Sequence, residues 1–402
     1  MSSPVTGRRH TVTTLLQSIF ATTLGVLPAY LLGALAVQMR SDLHLNPSDI
    51  GIGAALLFGV TGLLSRPMGQ LVQKRGATWG IVVSSGLALI ALLGVAAAPS
   101  IPILYTALTI GGVGNAIAQP AANLGVSAVI SPSRLGLALG IKQTAIPAAT
   151  LMAGLAVPAI ALTLGWRWVL LIFAGAAAAL TIWALLQRTD AYHPALELPE
   201  TDRGTPRAGL IIITTGAGLA AAAATSLGVF LVDSAVQTGM TPTAAGLLFA
   251  GSALLGMIVR VLLGAAMDRF AGRSPYVLVF YLLIVGSAGF GVLCFGEGYW
   301  LVLGSLVAYS AGWTWPGLIH YAIVRDNRRT AASATGVLQT GISLGGAAGP
   351  LLFGFLVDAT SYDIAWVAAA LTAVASATII RFGRRSILRR RLALKHPQAS
   401  GA

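Results

Sequence analysis

A lysine lies inside an otherwise apolar stretch of this 402-residue chain. Residues 140–147 read GIKQTAIP, and they fall within an apolar run from about Leu135 to Leu164. A charged side chain at the centre of a bilayer costs about 2.5–3.5 kcal/mol on insertion scales, so such residues usually face a cavity or a partner. No acidic residue lies at a comparable depth in the first half of the sequence. Lys142 is therefore the first candidate for chemistry.

Three roles fit Lys142 at this stage. It can bind an anionic substrate, it can be held structurally by carbonyls and amides, or it can carry a coupled proton as a buried lysine. Pro147 adds a local feature, because a proline has no N–H to donate to the carbonyl four residues back, which belongs to Gln143. Lys142, Gln143 and that free carbonyl predict a polar notch, with a simple packing kink as the alternative.

Polar side chains also occur within the preceding apolar run. Asn115, Gln119 and Asn123 are spaced by four residues, so in a helix they share one face. Pro120 leaves the carbonyl of Ala116 free in the same way as Pro147 leaves the carbonyl of Gln143 free. A polar stripe facing lipid is costly, so we expect it to face a cavity or the adjacent helix.

Aromatic residues predict a second wall of the same site. Tyr309, Trp313 and His320 recur at i, i+4 and i+11, close to one helix face, and Trp315 falls beside them. An aromatic wall with a histidine suits an organic substrate, although helix packing gives the same pattern. Tyr30, on the first apolar run, completes this set of candidates.

The composition identifies the class of protein that must position these residues. Hydrophobic residues make up 56% of the chain, charged residues 9%, and the mean hydropathy is +0.82. A soluble domain carries far more charge. The apolar runs are continuous, whereas a membrane β-barrel shows segments of alternating polarity. We predict an all-α membrane protein.

Charge and cysteine content exclude other classes. The net charge is +13, but the basic residues sit in short loops between apolar runs, so they indicate membrane topology rather than nucleic-acid binding. Cys294 is the only cysteine, which excludes an intrachain disulfide and a thiolate metal site. We expect no metal and no cofactor.

Twelve apolar runs are long enough to cross a bilayer, which takes about 20 residues as a helix. In chain order they lie near 13–38, 48–71, 78–98, 101–130, 135–164, 167–187, 209–236, 241–266, 275–295, 298–324, 331–358 and 362–381. We number these spans one to twelve.

The predicted domains follow from the polar stretch between the sixth and seventh spans. We predict a six-helix bundle over 1–187, a cytoplasmic linker over 188–208, a second six-helix bundle over 209–382 and a basic cytoplasmic tail over 383–402. Twenty Lys and Arg residues lie on the side of both termini and only two, Arg40 and Arg167, on the other. This bias predicts a protein of the cytoplasmic (cell inner) membrane with both termini in the cytoplasm.

An internal repeat relates the two halves. GIKQTAIP at 140–147 matches GVLQTGIS at 336–343 with an offset of 196 residues, and the same offset aligns Gln119–Pro120 with Trp315–Pro316. Gln339 is therefore the mate of Gln143 and joins the candidate substrate-binding residues, whereas the mate of Lys142 is Leu338. Two parallel, pseudo-twofold-related halves are an architecture of secondary transporters.

With this repeat, the chain resembles the major facilitator superfamily over essentially its whole length. That family carries a glycine–aspartate–arginine–glycine loop after the second span and a copy after the eighth. GAAMDRFAGR at 264–273 fits the second copy, and GQLVQKRG at 69–76 fits the first, with Gln73 in place of the aspartate. The resemblance implies a gating latch formed by Gly69, Gln73, Arg75, Gly76, Asp268, Arg269 and Gly272.

Two arginines precede these loops. Arg66 lies three residues before Gly69, and Arg260 lies four residues before Gly264. We expect both to lie towards the cytoplasmic ends of their spans and to brace the latch, with substrate contact as the alternative.

The resemblance implies a monomeric secondary active transporter that works by rocker-switch alternating access. The lysine without an acidic partner favours a small organic anion as the substrate. A co-transported proton would make the protein a symporter, and the titratable candidates for coupling are His320, Asp233 and Lys142. The GIKQ element followed by Gly165–Trp168 resembles the cyanate and nitroimidazole transporter branch of the family.

Two other functions compete with this interpretation. A multidrug efflux transporter of the same superfamily is the alternative, although the span-five glycine–proline signature of its proton-antiport members is absent. An enzyme would need a clustered nucleophile, a metal site or paired carboxylates. The spans contain no acid pair, so we predict no catalytic residues and no enzymatic activity.

Overall fold

The structure is a computed structural model, and it describes residues 4–129, 141–187, 207–269, 274–327 and 331–395. Within these ranges the regular elements are helical, and they contain no strand. Most of the predicted linker, the end of the predicted tail and Gly272 lie outside the described residues.

The first half contains six spans. Their helices cover Pro4–Ala34, Pro47–Arg75, Ala77–Ala96, Ile101–Val129, Ile141–Leu164 and Trp166–Leu186, with a short helix at Ala36–Leu43 after the first span. The second span begins at a capping box, in which Asn46 and Asp49 satisfy each other's backbone N–H groups and Pro47 occupies the first turn. It ends at Gly76, whose φ of 94° is readily adopted only by glycine.

The second half repeats this arrangement. Its spans cover Arg207–Gln237, Pro242–Arg269, Pro275–Leu293, Gly298–Asp326, Ala331–Ala359 and Tyr362–Lys395. Among the described residues, eleven helices are long and apolar enough to cross a membrane, and the tenth span is not among them because its helical pieces are short. The twelve-span, all-α prediction is confirmed.

The fifth and tenth spans are interrupted helices. The fifth has a turn at Thr144, just before Pro147, and a π-helical segment at Val157–Ala161. The tenth changes from α-helix to π-helix at Ala308–Gly312, then to a turn over residues 313–315, before Pro316 starts a new helix. Such breaks release backbone carbonyls from the helix ladder, and both breaks lie beside the candidate site.

Polar contacts join the two bundles at one face, which we call the outer face after the predicted orientation; the opposite face is the inner face. Arg40 Nη2 donates a hydrogen bond to Asp233 Oδ2 over 2.9 Å, and the Tyr362 hydroxyl donates to the same oxygen. The backbone N–H of Ser48 donates to Asp358 Oδ2 over 3.0 Å. These contacts tie the outer ends of both bundles together.

Backbone packing reinforces this closure. A Cβ added to Gly51 would lie 2.4 Å from the carbonyl oxygen of Pro350, and one added to Gly354 would lie 2.5 Å from that of Pro47. Neither position can therefore accept a side chain without moving the opposite helix. The second and eleventh spans thus pack backbone to backbone at the outer face.

The same two spans separate towards the inner face. Gly62 is still packed against Ser343, because a Cβ added to Gly62 would lie 3.0 Å from the Cβ of Ser343. Further along that helix face, four and eleven residues on, Arg66 and Gln73 are exposed, and Gly336 on the eleventh span is exposed as well. The molecule is therefore closed at the outer face and open towards the inner face.

Candidate functional site

Lys142 is buried and bonded to a neutral amide. Its side chain is 3% exposed, and its Nζ donates a hydrogen bond to Gln119 Oε1 over 2.6 Å. Gln119 lies on the fourth span, so this part of the predicted polar stripe faces the neighbouring helix. Within the described part of the chain, no carboxylate forms an ion pair with Lys142.

The carbonyl released by Pro147 has a partner on the other bundle. Arg260 Nη1, from the eighth span, donates to the Gln143 carbonyl oxygen, and Arg260 Nη2 donates to the carbonyl oxygen of Trp313 in the broken tenth span. The predicted release of the Gln143 carbonyl is confirmed. Arg260 thus links both interrupted helices at the interface between the bundles.

The expected positions of the two arginines were wrong for Arg260. It is 4% exposed and lies among the helices, whereas Arg66 is exposed. Proximity to the loop signature along the chain does not fix how far a long side chain reaches from its helix. Arg260 lies one helical turn before Gly264, and its side chain reaches the interface between the bundles rather than the loop.

Arg260 retains unused donors. A guanidinium has five N–H bonds, and two of them are used by the carbonyls of Gln143 and Trp313. Its Nε has no hydrogen-bond partner among the described residues, and no carboxylate pairs with the group there. The bundle interface therefore holds two buried cations, Lys142 and Arg260, with neutral partners.

His320 approaches the same space from the second half. It is half-buried, and its Nδ1 lies 2.8 Å from the carbonyl oxygen of Pro316. Its ring also interacts with the Gln339 side chain and, electrostatically, with Lys142. Gln339 Nε2 donates to Ser343 Oγ over 3.3 Å. Predicted residues from both halves of the repeat therefore converge here.

An aromatic cluster lies beside Arg260, which bonds to the Trp313 carbonyl and interacts electrostatically with Tyr30. The ring of Tyr30 lies 5.9 Å from Phe58 and 5.7 Å from Trp313, and Trp313 lies 5.1 Å from Tyr309, between centroids. Gly228 makes this packing possible, because a Cβ there would lie 2.6 Å from Trp313 and 2.7 Å from Tyr30. This cluster joins the first, second and tenth spans.

Trp315 lies elsewhere. It is buried in a separate apolar cluster of the second bundle, together with Leu338 and Ile319. The prediction that it stands beside Trp313 was wrong, because residues two positions apart point to nearly opposite sides of a helix. Trp313 and Trp315 therefore enter different clusters.

The remaining members of the polar stripe separate as well. Asn115 is buried inside the first bundle, where its Nδ2 donates to Thr61 Oγ1 over 3.1 Å. Asn123, nearer the inner face, is exposed. Only Gln119 of the three contacts Lys142.

The predicted latch is described in part. Gln73 and Arg75 are exposed, Gly69 is half-buried, and Gly76 forms the turn that ends the second span. Arg75 lies 5.8 Å from the centroid of the Trp79 ring. Asp268 and Arg269 end the eighth-span helix, but their side chains, like Gly272, lie outside the described part, so the latch stays a prediction.

Comparison with known protein families decides the class. The model of the Major Facilitator Superfamily matches residues 18–323 and, in a second match, 213–397. The chain belongs to the Major Facilitator Superfamily. Membership makes it a multi-pass membrane transporter of small molecules and not an enzyme, as predicted. A search of curated protein sequences found no match.

Solved structures show the same fold. A bacterial homologue of the human lysosomal transporter Spinster, in its inward-facing and unoccupied conformation, has a TM-score of 0.73 at 16% identity, over 97% of this chain and 99% of the other. The occupied inward-facing form of that homologue gives 0.72 at the same identity and coverage. At this identity the likeness concerns the fold alone, and the two six-helix bundles agree with it.

Proposed function

We propose that this superfamily member is a secondary active transporter of a small organic anion, working by rocker-switch alternating access. The observation that carries the proposal is Lys142, a buried ammonium at the bundle interface whose hydrogen-bond partner is the neutral Gln119. A buried charge without a countercharge is costly. A substrate that brings the negative charge would offset this cost in the bound state.

The surroundings of Lys142 suit such a substrate. Gln143, His320 and Gln339 supply polar groups, and the cluster of Tyr30, Tyr309 and Trp313 supplies an apolar wall for an organic body. Alternating access needs a face that closes and a face that opens. The outer contacts through Asp233 and the exposed inner helix faces fit that cycle.

The multidrug efflux alternative rests on the same aromatic cluster. Rings that pack against one another in this conformation could accept flat apolar cations or neutral compounds after rearrangement. Two buried cations beside the cluster repel cationic drugs, so the anion is the better supported substrate class.

For proton coupling, we propose His320 as the titrating group of a symporter. Its ring contacts the Pro316 carbonyl and Gln339 and senses the charge of Lys142. Asp233 is held by Arg40 and Tyr362 at the outer face, which supports a closing role for it instead. Uptake driven by an imposed pH gradient in His320→Gln tests this assignment: loss of proton-driven uptake with retained anion exchange supports it, and unchanged proton-driven uptake contradicts it.

We also propose that the protein acts as a monomer in the cytoplasmic membrane. We propose that both termini lie in the cytoplasm, because Lys and Arg are concentrated at that face. In a Cys294→Ser background, labelling of single cysteines introduced near Lys74 and near Asp363 with a membrane-impermeant maleimide tests the orientation. Only the second should react in intact cells.

The direct test of the proposal is uptake in proteoliposomes. Wild-type protein is screened against small carboxylates, cyanate-like anions, sugars and cationic drugs, and the best substrate is then measured with Lys142→Ala and Lys142→Gln. We expect uptake of an anion, and a loss of at least about tenfold in both variants, because removing the charge removes one charge-assisted contact.

A matched control separates this effect from general loss of charge. Lys74→Gln removes an exposed lysine from the inner end of the second span and should leave uptake unchanged. Wild-type uptake and affinity in both Lys142 variants, for every anion that is transported, would make the lysine structural and overturn the proposal.

A further inference from the structure

A cavity extends from Arg260 towards the inner face, between the eighth and tenth spans. Met267 and Leu318 give it apolar walls, and Thr314 and Tyr321 contribute hydroxyl groups. Its volume is about 340 Å³, which includes space open to solvent.

The buried end of this cavity is a cation with free donors. Arg260 is 4% exposed, and its Nε–H has no acceptor among the described residues. With two of five N–H bonds used, three remain for a ligand. A carboxylate accepts two parallel N–H bonds from a guanidinium, a geometry that a lysine cannot supply.

From this arrangement we infer that the cavity below Arg260 is a subsite for the carboxylate group of the transported molecule. The inference deepens the proposed function and rests on it. One guanidinium balances one negative charge, and Arg260 is the charged residue in the cavity lining. The subsite therefore takes one carboxylate group, with a short apolar segment of the ligand against Met267 and Leu318.

The position of Arg260 gives the subsite a consequence for transport. The guanidinium bonds to carbonyls of the fifth and tenth spans, so it touches both bundles at once. The cavity itself is lined by the eighth and tenth spans, so a carboxylate bound there lies in the second bundle, beside the guanidinium that contacts both bundles. The cavity opens to the inner face, so in this conformation the ligand enters or leaves on that side.

Binding measurements on purified full-length protein test the subsite. The probes are acetate, propionate and benzoate at constant ionic strength, each compared with its neutral amide, and methylphosphonate serves as a dianionic probe. We expect at least one carboxylate to raise the melting temperature of the wild type by more than about 2 °C, while its amide and methylphosphonate do not.

Three variants locate the effect. Arg260→Gln should abolish the carboxylate-dependent shift, and Arg260→Lys should weaken it because the planar fork is lost. Gly317→Val keeps Arg260 and fills the cavity: an added Cβ at Gly317 meets no atom within 4 Å, so the substitution fits without strain. It should also abolish the shift. Gly175→Val, at a sixth-span glycine with equally open space, is the control and should keep it.

The inference is overturned if Gly317→Val retains the wild-type shift, if the amides shift the melting temperature as much as the carboxylates, or if no carboxylate shifts it. Transport separates this failure from failure of the proposed function. Anion uptake that depends on Lys142 but is unchanged in Arg260→Lys and Gly317→Val contradicts the subsite alone. Uptake of neutral molecules that is unaffected by Lys142→Gln contradicts the proposed function.

Discussion

Cations are held in opposite ways at the outer face and at the centre of this transporter. At the outer face, Arg40 pairs with Asp233 over 2.9 Å and Arg167 pairs with Asp42 over 2.5 Å. At the centre, Lys142 and Arg260 have amide and carbonyl partners instead. Paired charges can close an interface by themselves, whereas buried cations without acids leave room for a negative charge from outside the protein.

The two halves of the internal repeat differ in the same way. Lys142 bonds to Gln119 in the first half, and their mates, Leu338 and Trp315, are both buried in an apolar cluster of the second half. The repeat therefore does not need a charge at this position to fold. At this pair of positions, the buried charge and its polar partner belong to the first half, and their mates in the second half belong to an apolar core.

The largest effect should come from making the second half resemble the first at one position. Leu338→Lys places a charge in an apolar cluster that has no equivalent of the Gln119 amide, and on insertion scales this costs about 2.5–3.5 kcal/mol. We expect poor recovery of folded protein and a lowered melting temperature in detergent. Leu338→Met is the volume-conserving control and should fold normally. Normal stability of Leu338→Lys would mean that the two halves offer equivalent environments.

Removing the amide partner of the lysine tests the central region. Gln119→Leu leaves the Lys142 ammonium without its hydrogen bond, and a bond to a charged group contributes about 1.5–3 kcal/mol. We expect a lower melting temperature that an anionic substrate partly restores. Gln70→Leu, at an exposed position of the second span, should have little effect. If the Gln119→Leu protein is as stable as the wild type, the Gln119 amide does not stabilise the Lys142 ammonium.

Breaking the outer pair tests the outer region. Asp233→Asn removes the countercharge of Arg40, which should destabilise the closed outer face by about 1–3 kcal/mol. A cysteine replacing the buried Ala29, in a Cys294→Ser background, should then react faster with an impermeant maleimide added from the outer side. Asp363→Asn changes an exposed acid on the same face and should leave the rate unchanged. Equal rates would show that the pair does not hold this face closed.

The smallest effect concerns the more exposed outer pair. The Arg167 guanidinium, with the Trp166 indole N–H, holds the pKa of the Asp42 carboxyl below its usual value of 3.8. A lowered pKa stabilises the folded state above the ordinary value, and this contribution disappears as the pH falls through the folded-state pKa. Between pH 5 and pH 3, the melting temperature of the wild type should therefore fall slightly more than that of Asp42→Asn, by about 2 °C or less, because solvent screens the pair. Parallel curves would contradict a stabilising pair.

The fold could be predicted almost completely from the sequence, because span length, apolar runs and the repeat are local or periodic signals. Lys142 was also recognisable, since a charge in an apolar run stands out. The partner of the Gln143 carbonyl could not be recognised from the sequence. Its identification as Arg260 depends on how the bundles dock, and no spacing along the chain encodes that contact.

The aromatic residues show a second limit. The i, i+4 spacing of Tyr309 and Trp313 predicted neighbours correctly, with centroids 5.1 Å apart. The interpretation of Trp315 as a neighbour of Trp313 was wrong, because residues two positions apart point to nearly opposite sides of a helix, and Trp315 is buried in the other apolar cluster. Pro316 indicates a break in the tenth span, but it does not predict the direction of either tryptophan side chain.

The central claim is that Lys142 recognises the negative charge of the substrate, and one comparison tests it most directly. Initial uptake rates are measured in proteoliposomes for a transported carboxylate and for its neutral amide, with the wild type and Lys142→Gln. The account predicts that the variant lowers kcat/KM for the carboxylate at least about tenfold, which corresponds to about 1.4 kcal/mol, and leaves the amide within about twofold. An equal loss for both compounds, or no loss for either, would contradict it.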